Sequence, residues 1–291
     1  MDQDDRDERS ERDLLDESLG MHVELRPGKS LSQLEEPPAV EEADWPHFRR
    51  LTFFSVLTGL CPLLPVPFVD DWAIGLIRRR MVRELAESRD LNLNEDEVQL
   101  LAGSGERRWP GLLKGTALAV RRGVGKLVGK AFKTIFYVLL LREGIHRAVE
   151  TFVEGYLLLH AAGLPQALRP SGRTPETVRA ERAAVVSTMK EVDVTPVHKA
   201  VARAFQGSFG LLSEAAAKLG TVLGRFRSKP EPTREEVPLQ QEEEILGGLV
   251  DRLAGSLWGD QAYFESLERA FDERLTRERP AGSGLPGSGL Q

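Results

Sequence analysis

A chain of 291 residues, 41% apolar and 29% charged, has the make-up of a soluble globular protein and enough length for one large or two small domains. A single cysteine, Cys61, excludes an internal disulfide framework and any cysteine-based metal cluster. The net charge of −6 is unevenly spread, and its distribution says more than its sum.

Residues 1–44 hold fifteen acids against five bases, a balance of −10, which leaves +4 for the remainder. With Pro27, Pro37 and Pro38 and few aromatics, they read as a disordered acidic tail whose role is to solubilise or to fold over a basic face. The first twenty residues carry no apolar run of the secretory kind, so a cytoplasmic location is expected.

Residues 45–226 read as a helical core domain. Leu51–Val69, LTFFSVLTGLCPLLPVPFV, is nineteen residues without a charge, close to the length of a transmembrane helix. Pro62, Pro65 and Pro67 break it, so it reads as a helix to about Leu60, a proline-rich turn, and a new helix opened by Asp70 or Asp71. Arg49 and Arg50 precede it and Arg78, Arg79 and Arg80 follow it. Positive charge at both ends suits a shallow hairpin that returns to the same side better than a span. Phe53, Phe54, Leu57, Leu60, Leu63 and Leu64 are then the side chains expected to insert in a membrane. The alternative is that the same residues form the core of a soluble bundle.

A helix over about Asp71–Ser88 follows, then a short one over Asn92–Ala102 with Asn94 as cap and Glu95, Asp96 and Glu97 in its first turn. Between Arg107 and Arg142 lie nine basic residues and no Asp or Glu. At 100° per residue Leu113, Ala117, Val120, Val124, Leu127, Val128, Ala131, Ile135 and Val138 share one face. Lys114, Arg121, Arg122, Lys126, Lys130 and Lys133 share the other. Thr134–Leu141 is apolar on every side. One straight helix from 111 to 164 would span about 80 Å, so a break is expected near Gly144 or among Gly123 and Gly125.

Thr174-Pro175-Glu176 and Thr195-Pro196 each place Thr at a helix cap and Pro at the first helical position. The second opens an amphipathic stretch to Phe226. Residues 227–240 read as a linker, 241–278 as a helical hairpin turning at Trp258-Gly259-Asp260, and 279–291 as a flexible tail. No alternation is long enough for a sheet, so the fold class is all-α: a multi-helix bundle with a proline-rich apolar hairpin.

Pro65-Val66-Pro67-Phe68-Val69-Asp70-Asp71, followed by a helix with Arg-Arg-Arg-Met and the Leu- and Asn-rich segment to Ala102, resembles the EcsC-like and YcjF-like families over about residues 55–165. Phe68 stands where that family usually has Gly. These are bacterial helical proteins, membrane-associated in several cases and some attached to small GTPase domains. The resemblance implies a membrane setting and a small GTPase as a possible class of partner, but no reaction and no catalytic residue.

Enzymatic signatures fail on spacing. Gly123-Val124-Gly125-Lys126-Leu127-Val128-Gly129 lacks the GxxxxGK[ST] pattern and any preceding strand. His22, His47, His146, His160 and His198 are scattered, with no G-x-S-x-G nucleophile elbow. Glu143-x-x-His146 with Glu150 and Glu154 aligns four candidate metal ligands on one helix face, but a di-iron bundle needs the motif twice, and a solvated polar stripe explains it. Stacking aromatics are sparse on the basic face, which argues against nucleic acid. The expected function is therefore non-enzymatic, with no cofactor: binding of anionic lipid at the inner face of the membrane. Arg78, Arg79, Arg80, Lys114, Arg121, Arg122, Lys126, Lys130 and Lys133 would meet phosphates. A soluble module binding an acidic protein is the alternative, and a metal-binding helical enzyme the third reading.

Overall fold

A computed structural model describes residues 44–64, 70–103, 130–163, 174–226 and 239–278; for 70, 130–137 and 225–226 it describes the backbone alone. Among these residues there are nine α-helices and no strand. They are α1 (Trp45–Leu60), α2 (Asp70–Glu87), α3 (Glu95–Leu101), α4 (Lys130–Gly163), α5 (Pro175–Glu191), α6 (Thr195–Gln206), α7 (Phe209–Phe226), α8 (Gln240–Trp258) and α9 (Gln261–Glu278), with a 3-10 turn, Cys61–Leu63, after α1. The chain divides into two units, residues 1–36 with 107–143 and residues 37–106 with 144–291. The second unit holds the helical bundle.

The bundle is built around α1. Every residue from Leu51 to Cys61 is buried, so this helix is apolar all round, the pattern of a helix enclosed by others. It packs against α2, α7 and α8, and α4 closes it from a further side. Phe48 meets the Phe152 ring edge-on at 5.4 Å, and the Ser55 hydroxyl donates to the Ala148 carbonyl at 2.6 Å. Thr52 and Thr58 satisfy their hydroxyls on carbonyls of the preceding turn, Phe48 and Ser55, so these two need no partner outside the helix.

Two glycines let α1 and α4 approach. A Cβ on Gly59 would stand 2.6 Å from the Phe205 ring, and one on Gly144 would stand 2.4 Å from the Gly59 carbonyl oxygen. The break expected at Gly144 is therefore absent: α4 runs through it, and the missing side chain serves packing. Gly123 and Gly125 lie outside the described residues.

The remaining helices begin as the local chemistry dictates. Asn94 and Glu97 form a reciprocal capping box on α3, and Thr174 and Thr177 form the equivalent at α5 with Pro175 in its first turn. At α6 the cap differs from expectation: Thr195 is the first helical residue, and its N–H donates to the Asp193 carboxylate at 2.9 Å. The amphipathic stretch to Phe226 is divided at Gly207 and Ser208 into α6 and α7. The C-terminal hairpin packs into the same bundle, with α8 against α1, α6 and α7 and α9 against α5.

Candidate functional site

The most unusual feature of this core is charge. Arg78 lies on the inner side of α2 among buried Ile74, Ile77, Met81 and Val82, and is only 7% exposed. On α4, Glu150 and Glu154 stand one turn apart, with Thr151 between them, among buried Ala148, Val149, Phe152, Val153 and Leu157. Arg182 arrives from α5. A carboxylate in such surroundings stays ionised only beside a cation, and the fold supplies three. Arg78 Nη2 is 3.1 Å from Glu150 Oε2, and its Nη1 is 3.3 Å from Glu154 Oε2. Arg182 Nη1 contacts Glu154 Oε1, and Arg147, at 3.6 Å, reaches Glu150 from the bundle's edge. Arg78 Nε also donates to the Thr151 hydroxyl at 3.2 Å.

The cluster ties in one further element, α3. Arg182 donates to the Leu101 carbonyl at the end of α3 at 2.8 Å. Gly103 follows in the left-handed conformation, φ 63°, and a Cβ there would fall 1.6 Å from Arg182 Nη2. Glycine is required at this position both by its backbone angle and by the guanidinium pressed against it. Burial works against the charge of Arg78, but the Glu154 and Glu150 carboxylates outweigh it and hold the guanidinium above its ordinary range. Guanidinium groups do not release protons near neutrality, so the cluster offers no acid–base pair. Its chemistry is electrostatic fastening of α2, α3, α4 and α5.

These positions correct two expectations. Arg78 does not face a phosphate layer; its charge is consumed inside the bundle. Glu150 and Glu154 are buried rather than part of a solvated stripe, and Glu150 Oε2 and both Glu154 oxygens lie against arginines. Among the described residues, no group of three or more His, Cys, Asp or Glu has the geometry to hold a metal ion. Glu143 and His146 are half-buried on α4.

The other candidate residues divide by location. Arg79 is partly exposed. Arg80 donates to Glu84 at 2.9 Å, beside Arg50, which bridges Glu84 at 2.7 Å and Glu243 at 2.8 Å. Burial raises the Glu84 carboxyl, but hydrogen bonds from Arg50 and Arg80 bring it below its ordinary value. Phe53, Phe54, Leu57 and Leu60 are at most 1% exposed, Leu64 is buried and Leu63 is half-buried. Insertion of these side chains would require α1 to leave its packing. Among the described residues no helix is long and apolar enough to cross a membrane. Lys114, Arg121, Arg122 and Lys126 lie outside the described residues, and Lys130 and Lys133 stand in the opening turns of α4, described by backbone alone.

The Arg78–Glu150–Glu154–Arg182 cluster was missed in the sequence because its members are far apart along the chain. The available signal was two carboxylates embedded in an apolar helical run, which demands cations from elsewhere. Comparison with known proteins gives no match to a family model, a curated protein or a solved structure.

Proposed function

We propose that this protein is non-enzymatic and works as a peripheral membrane-binding scaffold: the helical bundle is the body, and the basic segment 107–142 is the contact with an anionic phosphate layer. The observation that carries the reading is nine bases and no acid in that segment, in a chain that is acidic overall. Burial of Phe53, Phe54, Leu57 and Leu60 favours contact through charge over insertion of the apolar hairpin. The membrane contacts are then Lys114, Arg121, Arg122, Lys126, Lys130 and Lys133, with the inner face of the membrane as the expected location.

Co-sedimentation of the full chain with anionic vesicles tests this. The Arg121→Glu/Arg122→Glu/Lys126→Glu variant should lose binding while keeping its helical circular dichroism. Equal binding by variant and parent would remove the segment from the contact. The same burial of the hairpin favours a second reading, a soluble interaction module in which segment 107–142 docks on an acidic protein. That reading predicts no vesicle binding by the parent chain at any salt concentration.

A further inference from the structure

A second polar cluster, independent of the proposed membrane contact, joins α4 to α9. His160 lies in the last turn of α4, and each of its ring nitrogens faces a carboxylate of α9: Nε2 is 3.1 Å from Asp272 Oδ1 and Nδ1 is 3.5 Å from Glu268 Oε1. A neutral imidazole has one N–H, so one ring nitrogen would then present its lone pair to a negative oxygen. Only imidazolium has a proton for both. We propose that His160 is a protonation-dependent latch that fastens the C-terminal helix α9 to α4.

The surroundings suit a switch of modest strength. Tyr156, one turn earlier on α4, donates to Glu268 at 2.5 Å and so fixes the carboxylate that His160 meets. The His160 and Phe271 rings meet T-shaped with centroids 6.0 Å apart, and a cation near the C-terminal end of α4 is favoured by the helix dipole. On α9 the same surface carries Glu265, Arg269 and Glu273 beside Glu268 and Asp272. From the α1 side, the field of Asp44 reaches Tyr156, and Asp44 is itself paired with Arg89 at 2.5 Å. From α5, Glu191 pairs with Arg274 of α9. The latch therefore adds to a fixed ion pair and to the buried Phe264, Leu267, Phe271 and Leu275.

Burial alone would lower the affinity of His160 for its proton, but hydrogen bonds to Glu268 and Asp272 raise it above the ordinary value of 6.5. Glu268 is held below its ordinary 4.5, chiefly by His160. The latch is complete between these two ordinary values. It is lost as pH rises through the elevated His160 pKa, and also as pH falls through the depressed Glu268 pKa.

Amide hydrogen exchange of the full chain, corrected for intrinsic rates, measures it. Protection over residues 264–275 should fall by about three- to tenfold between pH 6 and pH 9, while α1 and α8 stay level. His160→Gln should give low protection that no longer depends on pH. His160→Lys, charged throughout this range, should keep protection high at both ends. A flat profile in the parent chain, or the same fall in His160→Gln, would overturn the latch.

Discussion

Replacing Glu154 by alanine removes the one carboxylate that both Arg78 and Arg182 face. Guanidinium groups keep their charge in proteins, and both of these are less than one-tenth exposed, so the substitution leaves excess positive charge in the core. Arg78 retains Glu150 at 3.1 Å, and Arg182 retains the Leu101 carbonyl at 2.8 Å. Breaking a buried pair from one side costs about 3–5 kcal/mol, a large part of the ~5–15 kcal/mol that holds most domains together. With a urea slope of ~2–3 kcal/mol/M, the midpoint should fall by roughly 1–2 M, as read by circular dichroism. The double variant Glu154→Leu/Arg182→Met removes one charge of each sign, leaves Arg78 paired with Glu150, and should recover most of the loss, because well-packed apolar replacements of buried ion pairs are often close to neutral. A Glu154→Ala midpoint within ~0.3 M of the parent, or a double variant as unstable as the single one, would refute the reasoning.

Gly59→Ala should cost about 1–3 kcal/mol, since its Cβ would collide with the Phe205 ring at 2.6 Å and the Gly144 carbonyl at 2.9 Å; a melting point unchanged from the parent would contradict the close α1–α4 approach. Asn94→Ala should lose about 1 kcal/mol by opening the capping box, visible as faster exchange at the Glu97 amide. Glu84, held below its ordinary 4.5 by Arg50 and Arg80, contributes stability above that value and loses it as pH falls through its lowered pKa. Glu84→Gln should therefore make the acid limb of a stability-versus-pH curve shallower below pH 4.5 than in the parent, and an unchanged limb would contradict the pairing.

Local chemistry was the legible part of the fold. Asn94 with Glu97, Thr174 with Pro175, and Gly259 with Asp260 mark helix ends through side-chain and backbone preferences that act within one turn. Leu51–Leu60 was legible as an apolar helix, but a helix enclosed by protein and one enclosed by lipid need the same surface. Its place was settled by partners such as Phe152 and Ala148, roughly a hundred positions away. Arg78 shows the same limit more sharply. In sequence it is the first of three consecutive arginines beside an apolar stretch; in the fold, helical rotation turns it inward to Glu150 and Glu154 while Arg79 stays partly exposed. Gly144 misled for a related reason. A glycine weakens a helix locally, yet here the neighbouring α1 backbone makes the missing side chain an asset.

The most direct test of the central claim is co-flotation of the full chain with neutral and with anionic vesicles at low and high salt. Contact through segment 107–142 without hairpin insertion predicts binding to anionic vesicles alone, lost at high salt as the charges are screened. Failure to float with anionic vesicles at low salt would contradict membrane binding, and binding that survives high salt would contradict contact by charge alone.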